Sequence, residues 1–101
     1  MPPAVAAVCA FLRTLDTGKW CRRAFAARGL GTLKDSRAAT PLLTIADNAS
    51  EPLAVRIQAV RGLALLGDAR GAPVLMRLIA APQVNQNLQL EAIVALGQLR
   101  H

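Results

Sequence analysis

The feature that most constrains this chain is a residue pattern that recurs every 33 positions. The segment from Val55 to Leu78 holds the clearest copy, and residues of similar type stand at equivalent positions before and after it. The matching sets are Ala26, Leu30, Leu33, Asp35 and Arg37; Ala59, Leu63, Leu66, Asp68 and Arg70; and Ala92, Leu96 and Leu99. A fixed period of this size indicates stacked supersecondary units that bury their apolar faces against one another. We therefore predict one domain over residues 1–101, with repeats at about residues 3–35, 36–68 and 69–101.

Within one repeat, the spacing predicts two helices joined by a tight corner. Apolar residues between Val55 and Leu66 recur at intervals of three and four, which places them on one helical face. Gly67 suits the left-handed conformation that ends a helix, and Asp68 is positioned to accept hydrogen bonds at the start of the next helix. Lys34 replaces this glycine in the first repeat, so we expect slightly more backbone strain at that corner.

Two helices in each repeat predict an all-α fold of six helices in three stacked hairpins. The abundance of alanine and leucine, with only three aromatic residues, favours helices over a sheet. Ser50 or Glu51 is the expected N-cap of the second helix of the second repeat. The other predicted helices lie at about residues 3–15, 19–33, 38–48, 71–81 and 86–100.

The corner segment from Leu66 to Leu75, Leu-Gly-Asp-Ala-Arg-Gly-Ala-Pro-Val-Leu, resembles the corner of short HEAT-like repeats. These are the repeats named after phycobilisome lyases, and the resemblance covers about residues 20–100. It implies a right-handed α-solenoid, or alpha-alpha superhelix, whose second helices line the concave side. It also implies that Arg23 and Arg56 are structural and bond carbonyls or acids in a nearby turn, while Gln89 occupies that position in the third repeat.

The two ends of the array are unusually apolar. The predicted helix at residues 3–15 has almost no polar face, although a free terminal helix of a solenoid normally presents one. We therefore expect the chain to be a fragment of a longer array, or this helix to dock on another surface. Uncapped ends of this kind also permit self-association. We expect Trp20 to pack in the seam of the first hairpin, because Leu53 stands at the equivalent position.

Residues that face outward but differ between repeats are the candidates for binding a partner. On each second helix, three positions at i, i+3 and i+7 point away from the apolar stripe. The nine candidate partner-binding residues are Phe25, Arg28, Thr32, Gln58, Arg61, Leu65, Glu91, Val94 and Gln98. Arg28 and Arg61 are expected on neighbouring helices about 8–10 Å apart, where together they would hold one acidic side chain.

Charge is concentrated in the first repeat: residues 1–37 carry seven basic and two acidic side chains, a net of +5, out of +6 for the whole chain. This asymmetry favours a protein or peptide partner of acidic character. The alternative is binding of nucleic acid or another polyanion through basic residues of this repeat. Those residues are Lys19, Arg22, Arg23, Arg28 and Lys34.

The sequence contains no recognisable set of catalytic residues. It has no glycine-rich phosphate loop, no nucleophile elbow and a single histidine, His101, so we predict a non-enzymatic scaffold with no cofactor and no metal site. No apolar run reaches the roughly 20 residues that span a bilayer, and we predict a cytoplasmic protein with no membrane partner. The resemblance alone leaves a role in a bilin lyase complex as a third alternative.

Overall fold

The computed structural model describes residues 10, 19–34 and 36–99, and all of the regular structure in these ranges is helical. Ala10 has helical geometry; the rest of the helix predicted at residues 3–15 and the side chain of Trp20 lie outside the described residues. The elements are α1 (Trp20–Leu33), a 3-10 turn (Ser36–Ala38), α2 (Ala39–Asp47), α3 (Leu53–Leu66), α4 (Gly71–Ala80) and α5 (Gln86–Leu99). The all-α prediction is confirmed, and none of the described helices is long and apolar enough to cross a membrane.

Helix α3 lies at the centre of the packing. It contacts α2 within its own hairpin, α1 on one side and α5 on the other, while α4 pairs with α5 and also touches α2. The helices therefore form one layer of α1, α3 and α5 and a second layer of α2 and α4. Each repeat contributes apolar residues at the same positions to one continuous core. The largest fully buried side chains accordingly recur at about the 33-residue period of the sequence. They are Leu30, Leu42, Val55, Val60, Leu63, Leu75 and Leu88.

Both corners after a second helix use the left-handed conformation. Gly67 has φ 74° and its N–H donates to the Leu63 carbonyl, as expected for a glycine that ends a helix. Lys34 takes the same conformation with φ 54°, at the corner where the sequence lacks a glycine. The Asp68 carboxylate accepts a hydrogen bond at 2.9 Å from the N–H of Arg70, the residue immediately before α4.

The predicted cap of α3 is wrong. The N-cap position is Pro52, which has no side-chain hydrogen bond, so neither Ser50 nor Glu51 caps this helix. The Glu51 carboxylate instead accepts a hydrogen bond at 2.7 Å from Nη1 of Arg23 on α1. Glu51 therefore links two repeats through an ion pair and does not act as a local helix cap.

The backbones of α1 and α3 touch at two glycines. A methyl group on Gly31 would place its carbon 2.2 Å from the Gly62 carbonyl oxygen, and one on Gly62 would lie 2.5 Å from the Ala27 carbonyl oxygen. Both distances are shorter than any van der Waals contact, so only glycine permits this approach. The equivalent positions between α3 and α5 hold Ala64 and Ala95.

Candidate functional site

The nine residues predicted to bind a partner line one side of the layer formed by α1, α3 and α5, and we call them the outward column. Phe25 is 72% exposed and Val94 is 58% exposed, large values for apolar side chains. Arg28, Thr32, Arg61, Leu65 and Gln98 are also exposed, whereas Gln58 and Glu91 are half-buried. All nine side chains therefore have atoms at or near the surface of the helical layer.

At the first end of the column, α1 and α3 enclose an open pocket of about 660 Å³, which we call the α1 pocket. Most of its wall is apolar, with one cation, one hydroxyl and one amide. Its lining residues are Ala24, Phe25, Arg28, Gly29, Thr32, Leu33 and Gln58. A volume of this size and a wall of this composition are typical of sites that bind a ligand side chain or a small molecule.

Two polar groups in the α1 pocket lack the partners that such groups normally have. Oε1 of Gln58 is buried and accepts no hydrogen bond from the described part of the chain. Arg28 is exposed and has no carboxylate partner within the described ranges. A buried acceptor without a donor costs free energy, and a ligand N–H would satisfy Oε1 once the Gln58 side chain turns towards the pocket.

A second pocket, of about 220 Å³, lies between α3 and α5 and shares one lining residue, Arg28, with the α1 pocket. Its remaining walls are Arg61, Ala64, Leu65, Glu91, Val94, Ala95 and Gln98. The two pockets together contain all nine residues of the outward column. Arg28 is their shared boundary.

Arg61 is already paired with a carboxylate of the same chain. Its guanidinium donates two hydrogen bonds to the Glu91 carboxylate, from Nε at 3.1 Å and from Nη2 at 2.6 Å. The hydrogen bond from Arg61 lowers the pKa of Glu91 below its ordinary value, which keeps this carboxylate ionised. That Arg28 and Arg61 together hold one acidic group therefore stays a prediction, in which Arg61 would share or leave Glu91. Of these two arginines, only Arg28 has no carboxylate partner within the described ranges.

The position shared by Arg23, Arg56 and Gln89 supports the helical stack, as the resemblance implied. Nε of Arg56 donates to the Ala46 carbonyl at 3.1 Å, and Nε2 of Gln89 donates to the Ala81 carbonyl at 2.7 Å. Arg23 makes a partly buried ion pair with Glu51, and hydrogen bonding from Arg23 lowers the pKa of Glu51. These side chains are engaged by the protein itself, which leaves fewer cations for a polyanion.

Sequence reasoning missed the apolar walls of the α1 pocket. It selected three outward positions on each helix, whereas Ala24, Gly29 and Leu33, which lie next to those positions on α1, also line the pocket. The spacing of four residues between Phe25 and Gly29, which places both on one face of a helix, was a usable signal. No group of three or more potential metal-binding side chains occurs among the residues that the structure describes.

Comparison with known protein families agrees with the all-helical repeat fold. A sequence model of HEAT repeats matches residues 5–97. No curated protein matches the chain significantly.

Proposed function

Because the chain belongs to the HEAT repeat family, whose repeats generally mediate protein–protein interaction, we propose that it is a non-enzymatic scaffold that binds a partner protein on the outward column. The observation that carries this proposal is the α1 pocket, an apolar cavity bordered by the unneutralised Arg28 and the orphaned Gln58 acceptor. A pocket of this kind selects its ligands by both shape and charge.

The chemistry of the pocket favours a peptide segment in which an apolar side chain stands beside an acidic residue. The apolar side chain fills the space between Phe25 and Leu33. The carboxylate receives two hydrogen bonds from Arg28, whose planar guanidinium suits this geometry. The Gln58 side chain turns towards the pocket, where its Oε1 accepts a hydrogen bond from a ligand N–H, which removes the cost of a buried acceptor without a donor.

Membership of the HEAT repeat family also suggests how the helices are arranged and where the protein acts. We propose that the layer of α1, α3 and α5 is the concave side of a right-handed solenoid with three hairpins, and that the protein acts in the cytoplasm. Nucleic-acid binding is the weaker candidate, because Arg23 is paired with Glu51 and Arg61 with Glu91. Of the five cations named for that alternative, Lys19, Arg28 and Lys34 are exposed, and the side chain of Arg22 lies outside the described residues. Three exposed cations contact few phosphates of an extended backbone.

The test is a selection from a displayed random-peptide library against the wild-type protein, followed by affinity measurements on the enriched peptides. We expect enriched peptides to place an acidic residue next to an apolar one. Arg28→Gln and Phe25→Ser should each weaken binding by about tenfold or more, since a lost charge-assisted hydrogen bond or apolar contact is worth ~1.4 kcal/mol or more. Arg77→Gln and Met76→Ser are matched controls on α4, where both side chains are exposed. Equal loss in the controls, or no loss in the column variants, would remove the proposal.

A further inference from the structure

The pocket between α3 and α5 places two guanidinium groups beside one cavity. Arg28 of α1 and Arg61 of α3 both line it, although they are 33 residues apart in the sequence. Glu91 of α5 is the one acidic residue among its lining residues. Two positive charges and one negative charge give this lining a net charge of +1, which a single anionic group of a ligand would neutralise.

Pairing with Glu91 uses only one edge of the Arg61 guanidinium. The two hydrogen bonds come from Nε at 3.1 Å and from Nη2 at 2.6 Å, on the side of the planar group away from Nη1. A guanidinium has five N–H donors, so one on Nη2 and two on Nη1 remain. Nη1 donates no hydrogen bond within the described ranges. The edge formed by Nη1 and Nη2 can therefore bind a second carboxylate in the bidentate geometry.

Both arginines are accessible from solvent. Arg28 is exposed and has no carboxylate partner in the described part of the chain. The side chain of Arg61 is 43% exposed even while it is paired with Glu91, whose side chain is 25% exposed. A ligand carboxylate can therefore approach Arg28 and the open edge of Arg61 without displacing Glu91.

The apolar walls of this pocket suit the side chain that would carry such a carboxylate. Leu65 and Val94 both line it and are 38% and 58% exposed. The methylene groups of an acidic side chain would pack on these two residues while the charged end stays at the arginines. The pocket has about 220 Å³, against about 660 Å³ for the α1 pocket, so a larger apolar side chain finds more space in the α1 pocket.

We propose that the acidic residue of the partner segment binds in the pocket between α3 and α5, where Arg28 and Arg61 together hold its carboxylate. This inference rests on the proposed peptide-binding function, and it places the acidic and the apolar residue of that segment in different pockets. Arg28 lines both pockets and therefore stands between the two ligand side chains. Arg61 is then a binding residue, and Glu91 is a positioning residue that holds its guanidinium.

This arrangement selects for a single negative charge. The ligand carboxylate completes an alternating series of charges formed by Glu91, Arg61, the ligand and Arg28. A second anionic group beside the first would face Glu91 without a further cation among the lining residues, and like charges repel. The site therefore favours an isolated acidic residue over a run of acidic residues.

The test uses two capped dipeptides that differ in charge, acetyl-Leu-Glu-amide and acetyl-Leu-Gln-amide, titrated into isotope-labelled protein and followed by amide NMR. The decisive variant combines Arg61→Gln with Glu91→Gln. It removes one positive and one negative charge, so the lining keeps its net charge of +1 and loses only the hydrogen bonds of Arg61. The glutamate dipeptide should bind this variant about fivefold or more weakly than the wild type. The glutamine dipeptide should bind both proteins equally weakly.

Two further variants serve as controls. Glu91→Gln alone raises the net charge of the lining to +2 and should strengthen binding of the glutamate dipeptide about twofold or more. Arg77→Gln combined with Asp47→Asn removes an exposed ion pair between α4 and α2, and should leave both affinities unchanged. Circular dichroism and thermal unfolding of each variant separate a loss of binding from a loss of folding.

Three results would overturn the inference. Undiminished binding of the glutamate dipeptide to the double variant of Arg61 and Glu91 would leave Arg61 as a structural partner only. Equal loss for both dipeptides would show that the effect does not depend on the ligand charge. A wild-type protein that does not bind the glutamate dipeptide would lack the site. If library-selected peptides still require Arg28 while any of these results is obtained, this inference fails and the proposed function stands.

Discussion

The junction between α1 and α3 and the junction between α3 and α5 share one architecture but differ in chemistry. In the first, two glycines bring the backbones into contact and Arg28 faces the uncharged Gln58. In the second, alanines stand at the glycine positions, and Arg61 is held by Glu91. Because Gln58 is uncharged and Glu91 is a carboxylate, Arg61 is paired within the protein and Arg28 is the arginine available to a ligand carboxylate. The repeated positions hold the stack together, and the positions that vary distinguish the first junction, where we propose the binding site.

The largest expected effect comes from disturbing the close crossing at the first junction. Gly31→Ala should lower the free energy of unfolding by about 2–3 kcal/mol or more, because the new methyl group overlaps the Gly62 carbonyl and neither backbone can move independently. In a domain of this size the melting temperature should fall by roughly 10 °C or more. Thermal and urea unfolding at low protein concentration measure both quantities.

Gly97→Ala is the control for this crossing. It makes the same change at the equivalent position of α5, where the new methyl group would meet no other described residue within 4 Å, so it should stabilise the helix by up to about 1 kcal/mol. If Gly31→Ala and Gly97→Ala had the same effect, the close contact between α1 and α3 would be refuted.

A smaller effect is expected from the ion pair that links α1 to the turn before α3. The pKa of Glu51 is lowered by its hydrogen bond with Arg23, so its contribution to stability is complete above the pKa of the unfolded chain and is lost as pH falls through the folded pKa. Glu51→Gln should cost about 1 kcal/mol at neutral pH. It should also flatten the decline of stability below about pH 4.5, the ordinary value of this carboxyl group. Urea unfolding across the acidic range measures this.

Asp47→Asn removes a carboxylate from a more exposed ion pair, that of Asp47 with Arg77, whose side chains are 44% and 64% exposed. This control should cost less at neutral pH than Glu51→Gln. A Glu51→Gln curve parallel to that of the wild type would contradict the role assigned to Arg23.

The smallest stability effect is expected from exchanging the chemistry of the two junctions. Gln58→Glu gives Arg28 a carboxylate partner and should stabilise the fold by a few tenths of a kcal/mol, since exposed ion pairs contribute about 0–1 kcal/mol. The same substitution should weaken binding of acidic peptides by about tenfold, because the charge of Arg28 is then used inside the protein. Isothermal titration calorimetry with a library-selected peptide measures the second effect.

Glu91→Gln is the reciprocal change, and it releases Arg61 from its pair. It should preserve or strengthen binding of the same peptide. Weaker binding in Glu91→Gln than in Gln58→Glu would reverse the assignment of the site to the first junction.

Much of the fold follows from the sequence because burial repeats with the period. Leu30 and Leu63, or Leu42 and Leu75, are fully buried at equivalent positions, and Gly67 ends its helix as its residue type predicts. The structural role of Arg56 was also available, from the resemblance to a known family of repeats, and its bond to the Ala46 carbonyl confirms it.

The site was less predictable because its contacts cross between repeats. Arg61 and Glu91 are 30 residues apart, an offset set by the stagger of packed helices and not by the period of 33. Aligning equivalent positions therefore places Arg28 and Arg61 in one column without showing that Glu91 neutralises one of them. The cap predicted at Ser50 or Glu51 failed for the same reason, because Arg23, on another helix, binds Glu51.

The most direct test of the central claim is a titration of the isotope-labelled protein with a library-selected peptide, followed by two-dimensional amide NMR. We expect the largest shifts at Phe25, Arg28, Thr32 and Gln58, with α4 almost unchanged. Shifts concentrated on α2 and α4, or on the exposed face of α5 at Leu90 and Ile93, would contradict a binding site at the first junction.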